Sequence, residues 1–157
     1  QVKRARAQGH ELSDKVLFCI VPRHPQRFDY VASLLDKSGL SYTRRSQFAD
    51  RGGTAASSQR LCARATVLLG DSLGEMPRYY GASQVAIVAG SFVPLGGHNL
   101  IEACAIGVPV IVGPDTHNFE QAAQDAIEQG AALRAANPDG RPANRAATLE
   151  RPASPDP

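Results

Sequence analysis

The sequence predicts an α/β fold, a Rossmann-like parallel sheet with helices on both faces. Short β-branched runs recur along the chain, each nearly all apolar, as strands covered on both faces must be. Helix-length segments with apolar residues three and four apart separate them, and glycines stand where those segments end. Alternation of the two kinds of segment implies parallel strands joined by right-handed crossovers.

In chain order, residues 15–21 read as a buried strand closed by Pro22. Residues 28–37 carry Val31, Leu34 and Leu35 at helical spacing and stop at Gly39. Residues 41–45 form a second strand. Residues 48–59, with Gly52-Gly53 and Ser57-Ser58, read as a mobile loop. Residues 66–69 are the next strand, ended by Gly70-Asp71, and a short helix is expected over 73–80 with Pro77 in its first turn. Val85-Ala86-Ile87-Val88 is the clearest buried strand. A helix over 99–106 closes at Gly107, a strand over 108–112 follows, a helix over 119–129 ends at Gly130, and 131–134 is an edge strand. From Pro138 the text turns Pro-, Ala- and Arg-rich without periodicity and reads as a disordered or foreign tail.

Composition bounds the function. A chain of 157 residues makes one domain with a real core, and 43% hydrophobic against 20% charged residues is globular. A net charge of +2 argues against an electrostatic nucleic-acid binder, and 6% aromatics with no Trp against a stacking platform for single strands. The longest apolar stretch, residues 85–95, is too short for a membrane span and contains Gly, Ser and Pro. The opening QVKRARAQGHEL has no signal-peptide apolar stretch. Cys19, Cys62 and Cys104 are odd in number and widely spaced, which fits a reducing cytoplasm.

Ligands of such sheets lie beyond the carboxyl ends of the strands, and three loops there carry unusual residues. In Val21-Pro22-Arg23-His24-Pro25-Gln26-Arg27 two prolines stiffen a turn bearing arginines suited to bidentate capture of a phosphate or carboxylate. The plainer reading is a solvated basic turn. In Leu69-Gly70-Asp71-Ser72-Leu73-Gly74-Glu75, Gly74 lets backbone approach a flat ligand such as a nucleobase. The same residues could simply start a helix, Ser72 and Glu75 forming a capping box.

The third loop, Ala89 through Glu102, places Gly90, Gly96 and Gly97 before a helix, where exposed N–H groups and the dipole favour a phosphate. Asn99 and Glu102 stand three apart on one helical face, and a carboxylate there can accept both hydroxyls of a ribose. Its plainer reading is a tight strand-to-helix turn with a capping Asn. Neither GxGxxG nor GxxxxGK[ST] occurs. His98 and His117 have no third ligand at metal spacing, the cysteines read as buried small hydrophobes, and no GxSxG elbow is present.

The strings VPRHPQRFDYVASLL and LLGDSLGEMPRYYGASQVAIVAGSFVPLGGHNLIEACAIGVPVIVGPDTHNF closely resemble the bacterial 3-deoxy-D-manno-octulosonic acid (Kdo) transferases of lipopolysaccharide assembly. The resemblance runs from about Lys15 to Asn137, and the Pro-Arg-His-Pro turn with Gly-Gly-His-Asn-x-x-Glu is its most specific part. It implies the C-terminal, donor-binding half of a GT-B glycosyltransferase over residues 1–137, transferring Kdo from CMP-Kdo to the lipid A precursor with inversion, without metal or other cofactor. The parent enzyme would work at the cytoplasmic face of the inner membrane. Carried over by motif, CMP contacts fall on Pro22 and Arg23, on Leu73, Gly74 and Glu75, and on Gly96, Gly97, Asn99, Leu100, Ile101 and Glu102. Implied roles are Arg23 and the turn at 96–99 on phosphate, the 73–75 backbone on cytosine, and Glu102 on ribose.

The resemblance also implies what this stretch lacks. The family's N-terminal domain, with its membrane anchor, acceptor surface and catalytic carboxylate, has no counterpart here, so no catalytic residue is assigned and the chain alone is expected to be inactive. Leu100-Ile101 replaces a more usual Pro-containing pair, the loop at 48–64 looks longer than usual, and the text after Asn137 does not resemble the family's closing helices. Two other readings are a different GT-B nucleotide-sugar enzyme, such as a UDP-sugar transferase or epimerase, and a non-catalytic α/β interaction module. Preference for UDP would mark the first, and absence of nucleotide binding the second.

Overall fold

The computed structural model describes residues 16–50 and 65–137. They divide between two compact units, one ending at Met76 and one beginning at Pro77.

In the first unit, strands β1 (Phe18–Ile20), β2 (Tyr42–Arg44) and β3 (Val67–Leu69) form a parallel sheet in the order β1-β3-β2. Helix α1 (Phe28–Ser38) connects β1 to β2 and ends at Gly39, whose φ of 64° suits glycine and whose N–H donates to the Asp36 carbonyl. Ala32 and Leu35 of α1 pack with Val67 and Leu69 of β3. Of the apolar residues expected on that face, Leu35 is buried but Leu34 is 45% exposed. Positions 31, 32 and 35 make one stripe at three- and four-residue spacing, and Leu34 lies on its flank. Helix α2 (Ser46–Asp50) occupies the start of the segment expected as a loop. Asp71 explains it: its carboxylate accepts the Ser46 N–H at 2.8 Å and hydroxyl at 2.7 Å, a cap supplied from a distant loop. The rest of that expected loop, and the expected tail, lie outside the described residues.

Helix α3 (Met76–Ala82) starts later than expected because Gly74, at φ 75°, keeps residues 73–75 out of helical geometry. Pro77 then falls in the first turn, where its missing N–H costs nothing.

In the second unit, β4 (Ala86–Val88), β5 (Val110–Val112) and β6 (Ala132–Arg134) are parallel in sequential order. Helix α4 (Ile101–Ala105) joins the first pair and α5 (Glu120–Glu128) the second. The core gathers Val88, Leu100, Ala103, Val110, Val112, Ala123 and Ala132. Pro109 stands before β5 rather than inside it, so it breaks no ladder bond.

Parallel strands and alternating helices are thus as expected, with two departures. Pairing among the described residues makes two sheets of three strands, each strand three residues long. Coverage is also uneven: Val67 and Leu69 of β3 and Val110 and Val112 of β5 are at most 1% exposed, yet Ile87 in the middle of β4 is 61% exposed. The strand in the middle of each sheet is enclosed by two neighbours, whereas β1 and β4 lie at edges.

Candidate functional site

In the first unit the parallel register brings three strand exits side by side. The Gly70 N–H donates to the Ile20 carbonyl, and the Arg45 N–H to the Leu69 carbonyl, both at 2.9 Å. Pro22 and Arg23 leave β1 there, Pro22 half-buried and Arg23 exposed. The loop after β3 holds Leu73, 68% exposed, and Gly74, around which a Cβ would meet nothing within 4 Å. Residues 22–23 and 73–75 therefore follow neighbouring strand ends, and the 73–74 backbone is open to approach.

The acids of that loop are engaged. Glu75 takes the Arg45 guanidinium at 2.8 Å and the Ser72 hydroxyl. The expected capping box is therefore corrected: Ser72 lies four residues before the helix and bonds the Glu75 side chain. Asp71 caps α2 and lies 3.7 Å from Arg44, which also holds Asp29 at 2.8 Å. The Arg44 guanidinium is pushed up from its ordinary value chiefly by its hydrogen bond to Asp29. Arg45 also lies 5.8 Å over the Phe48 ring. Arginines 44 and 45 were not singled out from the sequence; paired arginines closing one strand, with acids closing the next, were the available signal.

In the second unit a short 3-10 turn, Ala89–Phe92, follows β4. Ser91 is fully buried; its hydroxyl donates to the Val88 carbonyl and accepts the Gly113 N–H at 2.6 Å. The Asp115 N–H adds a bond to the Ser91 carbonyl at 3.0 Å. The exits of β4 and β5 are stitched so closely that a Cβ on Gly113 would lie 2.3 Å from the Ser91 carbonyl oxygen.

Gly96 and Gly97 have φ of 78° and 76°, the left-handed region that side chains disfavour, and both are buried. Asn118 holds this turn twice, its N–H on the Gly96 carbonyl and its side-chain amide on the Leu95 carbonyl, each at 3.2 Å. Asn99 caps α4, its side-chain oxygen accepting the Ile101 N–H at 2.9 Å. Asn99 therefore precedes the helix, and the expectation that it shares a helical face with Glu102 is corrected. Glu102 is exposed in the first turn and Ile101 is 52% exposed, whereas Leu100 is 1% exposed in the core and can offer a ligand only its backbone. Burial, then the Glu102 charge, pushes the Tyr80 phenol up. Helix α4 is only five residues long, so its dipole is small, and the Gly96 N–H of the turn before it donates to the Asp115 carboxylate.

The loop after β5 is tied down as well. Thr116 is buried, donates to Glu120, and accepts Arg134 at 3.0 Å. His117 Nδ1 lies 2.7 Å from the Asp115 carboxylate, and that hydrogen bond holds Asp115 below the usual carboxylate range. The Asp115–Asn118 loop and Ser91 were not singled out as partners of the glycine turn. Among the described residues, no three His, Cys, Asp or Glu side chains could hold a metal ion, and no helix is long and apolar enough to cross a membrane.

Parallel strands, crossover helices and glycine-rich strand exits define a Rossmann-like α/β layer of the kind that forms half of a GT-B glycosyltransferase. The C-terminal CMP-Kdo binding domain of WaaA from Acinetobacter baumannii has this fold: TM-score 0.71, 36% identity, covering 87% of this chain and 66% of that one. The 3-deoxy-D-manno-octulosonic acid transferase of Bordetella pertussis is 58% identical over 137 residues, 87% of this chain and 29% of the relative. The transferase of that name from Haemophilus influenzae is 42% identical over 106 residues, 68% of this chain and 22% of the relative. No family model matches. The chain belongs to the Kdo transferase family, and spans less than a third of the length of these two curated relatives.

Proposed function

We propose that this chain is the donor-binding part of a Kdo transferase, holding CMP-Kdo while Kdo passes to the lipid A precursor at the cytoplasmic face of the inner membrane. The observation that carries the proposal is the 58% identity to a Kdo transferase across 87% of the chain, joined to strand-end loops whose chemistry suits a nucleotide. On this reading the domain comprises residues 1–137, and the general base and acceptor surface belong to an N-terminal domain of the parent enzyme.

Within the first unit, Arg23 offers a planar fork to an anion, with Pro22 restricting its loop. The open backbone at Leu73, Gly74 and Glu75 reads the cytosine edge. Glu75 acts there through its backbone, since Arg45 and Ser72 engage its carboxylate. Within the second unit, the turn that Gly96 shapes, its own N–H held by the Asp115 carboxylate, takes phosphate through the N–H groups of Gly97 and Asn99, and the exposed Glu102 accepts the ribose hydroxyls. Leu100 and Ile101 fix the helix start between them. Charge forms on the leaving phosphate as the glycosidic bond breaks, so donors preset at that oxygen lower the barrier without reorganising.

Calorimetric titration of the chain with CMP, and with UMP as control, tests the proposal. Tighter binding of CMP is expected. Preference for UMP would point to another nucleotide-sugar enzyme, and no binding by a folded chain would sink the donor-binding reading.

A further inference from the structure

We propose that His117 is a direct ligand of the donor's phosphate, an inference that rests on the CMP-binding reading above. The imidazole stands against the glycine turn: a Cβ on Gly96 would lie 2.6 Å from His117 Nε2. The side chain is 66% exposed, so a ligand on the turn can reach it. Its loop is pinned on both sides. Before it, buried Thr116 bonds Glu120 and Arg134; after it, Asn118 bonds the Leu95 and Gly96 carbonyls. A ring on so fixed a base loses little freedom on binding, which favours affinity.

Asp115 sets which chemistry the ring presents. Its carboxylate takes Nδ1 at 2.7 Å, leaving Nε2 for the ligand. A phosphate oxygen there selects the doubly protonated ring, whose Nε2–H donates to the anion while Asp115 balances the charge. The same pairing recurs where a carboxylate orients a histidine toward its ligand. Gly96 completes the arrangement, because any side chain at that position would overlap the His117 and Asn118 side chains.

The test compares CMP with cytidine, which lacks the phosphate, by NMR-detected titration of the chain and of His117→Phe and His117→Gln. Phe keeps the ring's shape without its nitrogens; Gln keeps polarity without the charge. Both variants are expected to lose about tenfold in CMP affinity, the size of one charge-assisted hydrogen bond, and to bind cytidine as before. A merely structural role would weaken both ligands alike, and that result overturns the proposal. So does unchanged CMP affinity in the variants while the parent chain binds CMP, which leaves the donor-binding reading standing. A folded parent chain that takes up no CMP removes both.

Discussion

Glu102 is the exposed carboxylate closest in sequence to the glycine turn, one residue into a helix that Asn99 caps through the Ile101 N–H. The ribose role proposed for it gives a sharp expectation: Glu102→Ala should weaken CMP binding by about 1–3 kcal/mol, the loss of a hydrogen bond to a charged group. Calorimetry on the folded variant checks it, and unchanged affinity would remove the role. The cysteines differ at the same scale. Burial pushes the Cys104 thiol up, whereas Cys19 is exposed. Since the thiolate is the nucleophile, iodoacetamide at mildly alkaline pH should label Cys19 before Cys104, read by mass spectrometry; the reverse order would contradict the burial of Cys104. Single residues carried their chemistry legibly where it needed only a type and a spacing, as with Asn99 capping and Gly39 ending a helix. They did not where a partner came from far along the chain: Glu75 could not announce Arg45, thirty positions away.

Among the elements, helix and strand types followed from periodicity, but lengths did not. Apolar runs continue past the three-residue ladders for two reasons: Val108 is buried beside β5 without belonging to it, whereas Val16, Leu17 and Val85 beside β1 and β4 are exposed. The stitch between the exits of β4 and β5 was invisible for the same reason as Arg45. It needs Ser91 and Gly113, neither unusual alone, to meet across 22 positions. Two glycines separate the effects involved. Gly113→Ala would drive a Cβ to within 2.3 Å of the Ser91 carbonyl oxygen, backbone that cannot swing aside, and should cost about 1–3 kcal/mol through overpacking. Gly107→Ala meets nothing within 4 Å but stands at φ 76°, and should cost about 1 kcal/mol from backbone strain alone. Urea unfolding of both variants measures the difference. Equal losses would mean that the β4 and β5 exits are less tightly joined than their hydrogen bonds indicate.

At the scale of the whole molecule, the exposed apolar surface is the feature that a covered parallel layer would not have. Val85 and Ile87, 46% and 61% exposed, stand two apart along the β4 segment and so on one face. Leu17 and Cys19 repeat the pattern at β1, Leu17 being 40% exposed. The alternation within β4 is regular: Ala86 and Val88 are 7% exposed, on the other face, in the core. An apolar strand face of this kind attracts a partner surface or a hydrophobic dye. The chain on its own is therefore expected to enhance the fluorescence of anilinonaphthalene sulfonate while keeping the cooperative unfolding that a molten state lacks. Ile87→Thr keeps the β-branched shape that suits a strand, and should lower the dye signal without lowering stability by more than a few tenths of a kcal/mol, as ordinary surface substitutions do. A large loss of stability in that variant, or a parent chain silent to the dye, would show that the β4 face is covered in solution, as the uninterrupted apolar reading of residues 85–88 requires.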